Sequence, residues 1–144
     1  MTPTPIPTTD LTITRTINAA PETIYDIWLD PKNPGGPWFG ADRAIVNAHV
    51  DGLFFHAATH AGRTWAHYGR FIALERGKRI EHTWMSEATK GLESVVTITL
   101  TAKGGKTELV LHHAGVPDDD FGRQHAEGWG WMADMLVQKF AAKA

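Results

Sequence analysis

The first regular pattern along the chain lies at residues 11–17, where threonines at every second position alternate with a face that carries Leu11, Ile13 and Ile17. Such alternation of β-branched side chains predicts a half-buried β-strand. A helical pattern follows, in which Pro21 suits the first position and apolar residues recur every three or four positions up to Trp28. Residues 1–10 alternate proline with threonine and carry no periodicity, so we expect a flexible tail before a single domain that spans residues 11–144.

Short segments of strand-like sequence dominate the middle of the chain, from Ala44 to His113. Glycine-containing turns separate them, and residues 86–92 form a longer connection. Loops this short favour antiparallel neighbours, because parallel strands need longer crossover connections. The middle of the chain therefore predicts a meander of consecutive antiparallel strands.

The last segment carries the most regular helical pattern of the chain. An apolar stripe at spacings of three and four residues runs from Phe121 to Phe140 and predicts a long helix. Gly128 and Gly130 lie inside it, and since glycine weakens a helix we expect another element to pack closely there. The fold class is then α+β: a curved antiparallel sheet of about seven strands that grips the C-terminal helix, with one or two short helices after the first strand.

Charge and composition narrow the classes of function. The 144 residues include 14 Lys and Arg against 16 Asp and Glu, a net charge of −2, so the chain shows no basic surface for nucleic acid. It contains no apolar run long enough for a membrane span and no signal-peptide core. The absence of cysteine excludes disulfides and thiolate metal ligands, and we expect a cytoplasmic protein.

Several motifs follow one another along most of the chain: INAAPETIYDIWLDP near the start, PWFGA at 37–41, RIEHTW at 79–84, KTELVLHHAGVP at 106–117 and AEGWGWMADML at 126–136. On these motifs the chain resembles the START/Bet v 1-like superfamily (SRPBCC), in the branch similar to the C-terminal domain of the activator of heat-shock-protein-90 ATPase. The resemblance implies a helix-grip fold. Superfamily members include carriers, cyclases, hydrolases, stress proteins and co-chaperones, so the function has to be argued from the site.

Strand alternation and the helical stripe predict which side chains face the space between sheet and helix. In residues 79–84, charged side chains alternate with the apolar and aromatic ones, which places the second set inward. The phase of the strand that contains Trp65 and His67 is ambiguous, because both of its faces are apolar. The predicted ligand-binding residues are Phe54, His56, Ile80, His82, Trp84, Ile98, Leu109, Leu111, His113, His125, Trp129, Met132 and Leu136.

The favoured interpretation of this set is an internal, mainly apolar cavity that binds a small hydrophobic or aromatic molecule without a cofactor. Aromatic side chains suit a flat ligand, and histidines supply a few polar contacts. Trp38, Phe39 and the loop near residues 86–92 are expected at the cavity mouth.

Other functions remain as alternatives. An enzyme of the cyclase, hydratase or hydrolase type would use His82 and His113 as acid–base groups, although no inward carboxylate is predicted to orient them. A metal site is disfavoured because the histidines come from separate elements without metal-binding spacing. A co-chaperone that binds a chaperone and stimulates its ATPase is implied by the resemblance alone.

Overall fold

The computed structural model of the protein describes residues 6–32 and 41–141. Its seven strands form one antiparallel sheet in the order β1-β7-β6-β5-β4-β3-β2. This curved sheet and the long C-terminal helix confirm the α+β helix-grip prediction. The elements are β1 (Thr8–Ile17), α1 (Pro21–Trp28), β2 (Arg43–Val46), β3 (Leu53–His60), β4 (Arg63–Glu75), β5 (Arg79–Ser86), a 3₁₀ turn (Glu87–Thr89), β6 (Ser94–Lys103), β7 (Lys106–Pro117) and α2 (Asp120–Lys139).

The first strand is longer than the sequence pattern predicts, because β1 begins at Thr8 within the expected tail. Thr8 pairs with Pro117, and the backbone carbonyl of Pro7 accepts a hydrogen bond from the amide of Asp118 at 2.9 Å. The end of β7 thus offers backbone partners to residues that lack a periodic pattern of their own. Residues 1–5 of the expected tail lie outside the described residues.

The inner face of the sheet carries the side chains that strand alternation places there. Ile80, Ile98, Leu109 and Leu111 are completely buried, whereas the threonines that alternate with Ile98 on β6 lie toward the outer face. The inner face of β1 also carries a charge, because Arg15 is in phase with Leu11, Ile13 and Ile17. Arg15 lies on it and donates to Asp134 of α2, with 2.7 Å between Nε and Oδ1.

Close packing against α2 occurs at a different glycine from the two expected. A Cβ atom on Gly128 would have no neighbour within 4 Å, and one on Gly130 would meet only the Arg15 side chain at 3.8 Å. A Cβ on Gly122 would instead lie 2.2 Å from the carbonyl oxygen of Pro117. The expectation of close packing at Gly128 is therefore wrong, and it is the first turn of α2 that presses against the end of β7.

Candidate functional site

The predicted ligand-binding residues all lie in the buried interior between the sheet and the helices. Their apolar members belong to one continuous hydrophobic cluster, which also includes Trp28 of α1. His56, His82, His113 and His125 are buried among them. Trp38 and Phe39, expected at the mouth, lie outside the described residues.

Trp84 of β5 is the centre of an aromatic cluster built from several elements. Its ring centroid lies 4.6 Å from that of His67 on β4, 4.9 Å from Trp129 on α2, 5.4 Å from His56 on β3 and 6.0 Å from Phe54 on β3. Such distances are typical of aromatic packing pairs. We call these five residues the Trp84 cluster.

His67 is the member of the Trp84 cluster whose orientation the sequence left open. It pairs directly with His56 across β3 and β4, and the two rings stack with centroids 4.5 Å apart and planes 7° from parallel. Ala61 and Gly62 form the turn between these strands, both with positive φ. A two-residue turn of this type fixes the register of a hairpin, so the Ala61-Gly62 signal was sufficient to place His67 opposite His56.

Gly69 makes room for the Trp84 cluster on β4. It pairs with Phe54, and a Cβ atom on Gly69 would lie 2.2 Å from the Phe54 ring. The missing side chain therefore lets the Phe54 ring lie over the strand and reach His82, whose ring it meets edge-on at 4.8 Å.

His113 of β7 is held in a chain of buried hydrogen bonds. The indole N–H of Trp129 donates to His113 Nδ1 at 3.0 Å. The Ser94 hydroxyl donates to the Trp84 carbonyl at 2.6 Å, and its oxygen lies 2.7 Å from His113 Nε2. Because the hydroxyl proton is directed at the carbonyl, we assign the proton between Ser94 and His113 to Nε2. Both ring nitrogens of His113 are then occupied.

His125 of α2 is satisfied in a similar way. Its Nε2 accepts the indole N–H of Trp84 at 3.3 Å, and its Nδ1 lies 2.8 Å from the carbonyl oxygen of Phe121, which can only accept. The indole N–H groups of Trp84 and Trp129 thus each donate a hydrogen bond to a neutral imidazole.

His82 and His67 differ, because part of their hydrogen-bonding capacity is unused. His82 Nδ1 lies 2.8 Å from the carbonyl oxygen of Thr83. Within the described part of the chain, His82 Nε2 and His67 Nδ1 are buried and have no hydrogen-bond partner. Buried polar atoms in proteins nearly always have one.

The interior histidines are uncharged at neutral pH. Burial lowers the pKa of His113 to about 2, of His67 to about 3, and of His56 and His82 each to about 4. Burial also lowers the pKa of His125. In residues 6–32 and 41–141, no three His, Asp or Glu side chains are grouped so that they could hold a metal ion.

A surface cleft of about 400 Å³ lies beside the Trp84 cluster, where β4 runs past the end of β5. Trp65, Met85 and Ser86 are among its lining residues, as are Glu87 and Gly91 from the predicted mouth loop. One lining residue, Ser86, pairs with His67 across β4 and β5. Tyr68 and Met85, which pair next to them, are exposed and line the cleft on the outer face of the sheet.

Comparison with known proteins agrees with this architecture. The family model described as Activator of Hsp90 ATPase homolog 1-like protein matches residues 18–141. The chain belongs to this family. The match confirms the resemblance seen in the sequence motifs, and it covers every element from α1 to α2. None of the curated proteins matches the chain by sequence.

Several solved structures share the fold of this chain. Protein CV1439 from Chromobacterium violaceum superimposes with a TM-score of 0.77 at 24% identity, over 93% of this chain and 98% of that one. An HSP90 activator from Plasmodium falciparum, PFC0360w, gives 0.70 at 20% identity over 85% and 88% of the two chains. CalU16 from Micromonospora echinospora gives 0.69 at 20% identity over 92% and 76%. At these identities the likeness shows the fold alone.

Neither α1 nor α2, the helices of the described residues, is both long and apolar enough to span a membrane.

Proposed function

We propose that this protein binds a small hydrophobic or aromatic molecule between the inner face of β3–β5 and α2, with Trp84 as the principal contact. The Trp84 cluster carries this proposal. It gathers aromatic rings from β3, β4, β5 and α2 around one indole. Sites for small molecules are mainly apolar and contain a few fixed polar groups, which is the composition of this cluster.

The cleft beside β5 is the proposed access route. The chain after β5 forms one side of the cleft, and there Glu87 forms an ion pair with Arg63. The Arg63 guanidinium in turn lies 4.4 Å from the centroid of the Trp65 ring. The volume of the cleft is within the range of ligand pockets. Opening the Arg63–Glu87 contact would move the 3₁₀ turn away from β4 and expose Ser86, the residue that pairs with His67.

The enzyme alternative is less well supported by the geometry. A general base needs a free lone pair near its substrate, whereas both His113 nitrogens are occupied. Among the described residues His82 keeps an unpaired Nε2, but burial lowers its pKa to about 4, so it is a weak base at neutral pH. Ser94 donates to a backbone carbonyl and accepts from His113, so it is not activated as a nucleophile. One structural neighbour is named as an HSP90 activator, but no contact among the described residues favours co-chaperone binding over ligand binding.

Native mass spectrometry of the protein purified gently from its own host tests the proposal. We expect a reproducible mass excess on the order of a few hundred daltons, the size of molecule that such pockets enclose. In Trp84→Phe, which removes part of the buried contact area, the affinity for that molecule should fall by about tenfold. The fraction of the variant protein that retains the molecule in the mass spectrum should therefore fall as well.

Trp131→Phe is the matched control, since Trp131 lies on α2 and is 53% exposed. This variant should retain the mass excess of the unmodified protein. Thermal unfolding of all three proteins would show that the fold is intact. The bare mass in every sample, or equal retention in Trp84→Phe, would contradict the proposed site.

A further inference from the structure

The strongest indication of ligand chemistry is the buried ring of His82. Its Nδ1 lies 2.8 Å from the Thr83 carbonyl oxygen, which can only accept, so Nδ1 carries the proton. The other nitrogen, Nε2, is then an acceptor. Within the described residues it has no partner, and the His82 side chain is completely buried. An acceptor in this state needs a donor that the described protein residues do not supply.

Aromatic rings surround this acceptor. The ring centroids of Phe54, Phe71 and Trp84 lie 4.8, 5.9 and 6.0 Å from that of His82. The His67 ring, 4.6 Å from Trp84, holds a second buried nitrogen that has no partner among the described residues. A ligand that packs against Trp84 therefore meets flat apolar surfaces together with the acceptor of His82.

The electrostatic setting excludes a charged ligand at this position. Burial lowers the pKa of His82 to about 4, so the imidazole is neutral at pH 7. Among the described residues, no carboxylate, ammonium or guanidinium group hydrogen-bonds to its ring. An ion placed there would lose its hydration and find no countercharge, which strongly disfavours binding.

We propose that the ligand is a neutral aromatic molecule with a hydroxyl or N–H donor, and that His82 Nε2 accepts the hydrogen bond from that donor. This inference rests on the proposed function and adds the chemical class of the ligand and the residue that recognises it. Phenols and indoles are the simplest members of the class. They combine an aromatic face for Trp84 with one donor for His82.

Titration calorimetry with two matched pairs of probes tests this inference: phenol with anisole, and indole with 1-methylindole. The methylated member of each pair lacks the donor. We expect the unmodified protein to bind phenol and indole about tenfold more tightly than their methylated partners, because the methylated probes leave Nε2 unpaired.

The variant His82→Phe keeps an aromatic ring and removes the acceptor. It should bind both members of each pair with similar affinity, so that the tenfold preference disappears. His49→Phe is the matched control, since His49 is an exposed residue of the loop before β3 and should leave the preference unchanged.

The outcomes distinguish a failure of the proposed recognition by His82 from a failure of the proposed ligand binding. Equal binding of the paired probes by the unmodified protein, or a preference that survives in His82→Phe, overturns the role of His82 and leaves ligand binding intact. If none of the probes binds while the gently purified protein retains a ligand mass, the chemical class is wrong. If no probe binds and the mass is bare, the proposed function fails as well.

A second measurement covers the case in which His82→Phe does not fold. In the unmodified protein, labelled with ¹⁵N at histidine, the Nε2 resonance of His82 should move when phenol is added and not when anisole is added. A resonance that responds equally to both, or to neither, overturns the inference.

Discussion

His113 shows how a buried imidazole becomes part of the framework of the protein. Its ring receives the indole N–H of Trp129 and donates to the hydroxyl of Ser94, which in turn donates to the backbone of β5. The three side chains connect α2, β7, β6 and β5 through one chain of hydrogen bonds. Each donor in this series of hydrogen bonds has an acceptor, so all of its polar groups are paired although none is charged.

Removing both partners of the Trp129–His113 hydrogen bond should cost less than the sum of the two separate removals. Trp129→Phe leaves His113 Nδ1 unpaired, and His113→Leu leaves the Trp129 indole N–H unpaired, each at a cost of about 1–3 kcal/mol beyond the lost packing. In the double variant neither group remains. Urea unfolding of the four proteins should therefore show a double variant about 1–2 kcal/mol more stable than the sum of the two single losses predicts. Additivity to within about 0.5 kcal/mol would contradict the hydrogen bond.

The inward positions of His82 and His113 could be predicted from the sequence, but their roles could not. Alternation with charged residues places His82 inward, and alternation with Glu108 and Val110 does the same for His113. The partners come from strands and a helix that are distant in sequence. Ser94 lies in no motif that marks a function, and it acts as a hydrogen-bond relay because its neighbours are set by the pairing of β5, β6 and β7.

At the scale of elements, the contact between β7 and α2 depends on Gly122. This residue lies in the first turn of α2, and the space that a side chain would occupy is filled by the backbone of Pro117. Just before it, the Asp119 carboxylate caps the helix by accepting from the amide of Phe121 at 2.9 Å. The chain can therefore reverse from strand to helix within a few residues and place His125 and Trp129 over the sheet.

A pair of glycine substitutions in α2 separates helix propensity from packing. Gly122→Ala forces a methyl group toward a backbone carbonyl and should lower the free energy of unfolding by about 1–3 kcal/mol. Gly128→Ala adds the same methyl group where no atom lies within 4 Å, and should raise it by about 1 kcal/mol, since alanine favours helix. Urea unfolding would measure both. A gain of stability in Gly122→Ala would contradict the close contact with Pro117.

These elements also show where the sequence was informative. The strands from β2 to β7 and the long helix occur in the order that the strand-like segments, the glycine-containing turns and the helical stripe predict. The start of β1 is different, because the pairing with β7 extends into residues without periodicity. Close contact at Gly122 was also missed, since a glycine inside a helical pattern does not reveal whether the space beside it is filled.

At the scale of the whole molecule, the described part of the interior holds five titratable imidazoles: His56, His67, His82, His113 and His125. Each is neutral in the folded protein because burial lowers its pKa. In the unfolded chain an imidazole takes up a proton near its ordinary value of about 6.5. Below that pH the unfolded state therefore binds more protons than the folded state.

This difference predicts that the protein loses stability in mild acid. The interior histidines contribute their full stability above pH 6.5 and lose it progressively as the pH falls toward their folded pKa values, at up to about 1.4 kcal/mol per pH unit for each imidazole. Urea unfolding at pH 7.5, 6 and 5 would measure the slope. His82→Phe should reduce this slope by the contribution of one imidazole. A free energy of unfolding that stays constant between pH 7.5 and 5 would show that these rings take up protons in the folded protein as readily as in the unfolded chain. The interior would then not be the neutral environment on which the proposed recognition of an uncharged ligand depends.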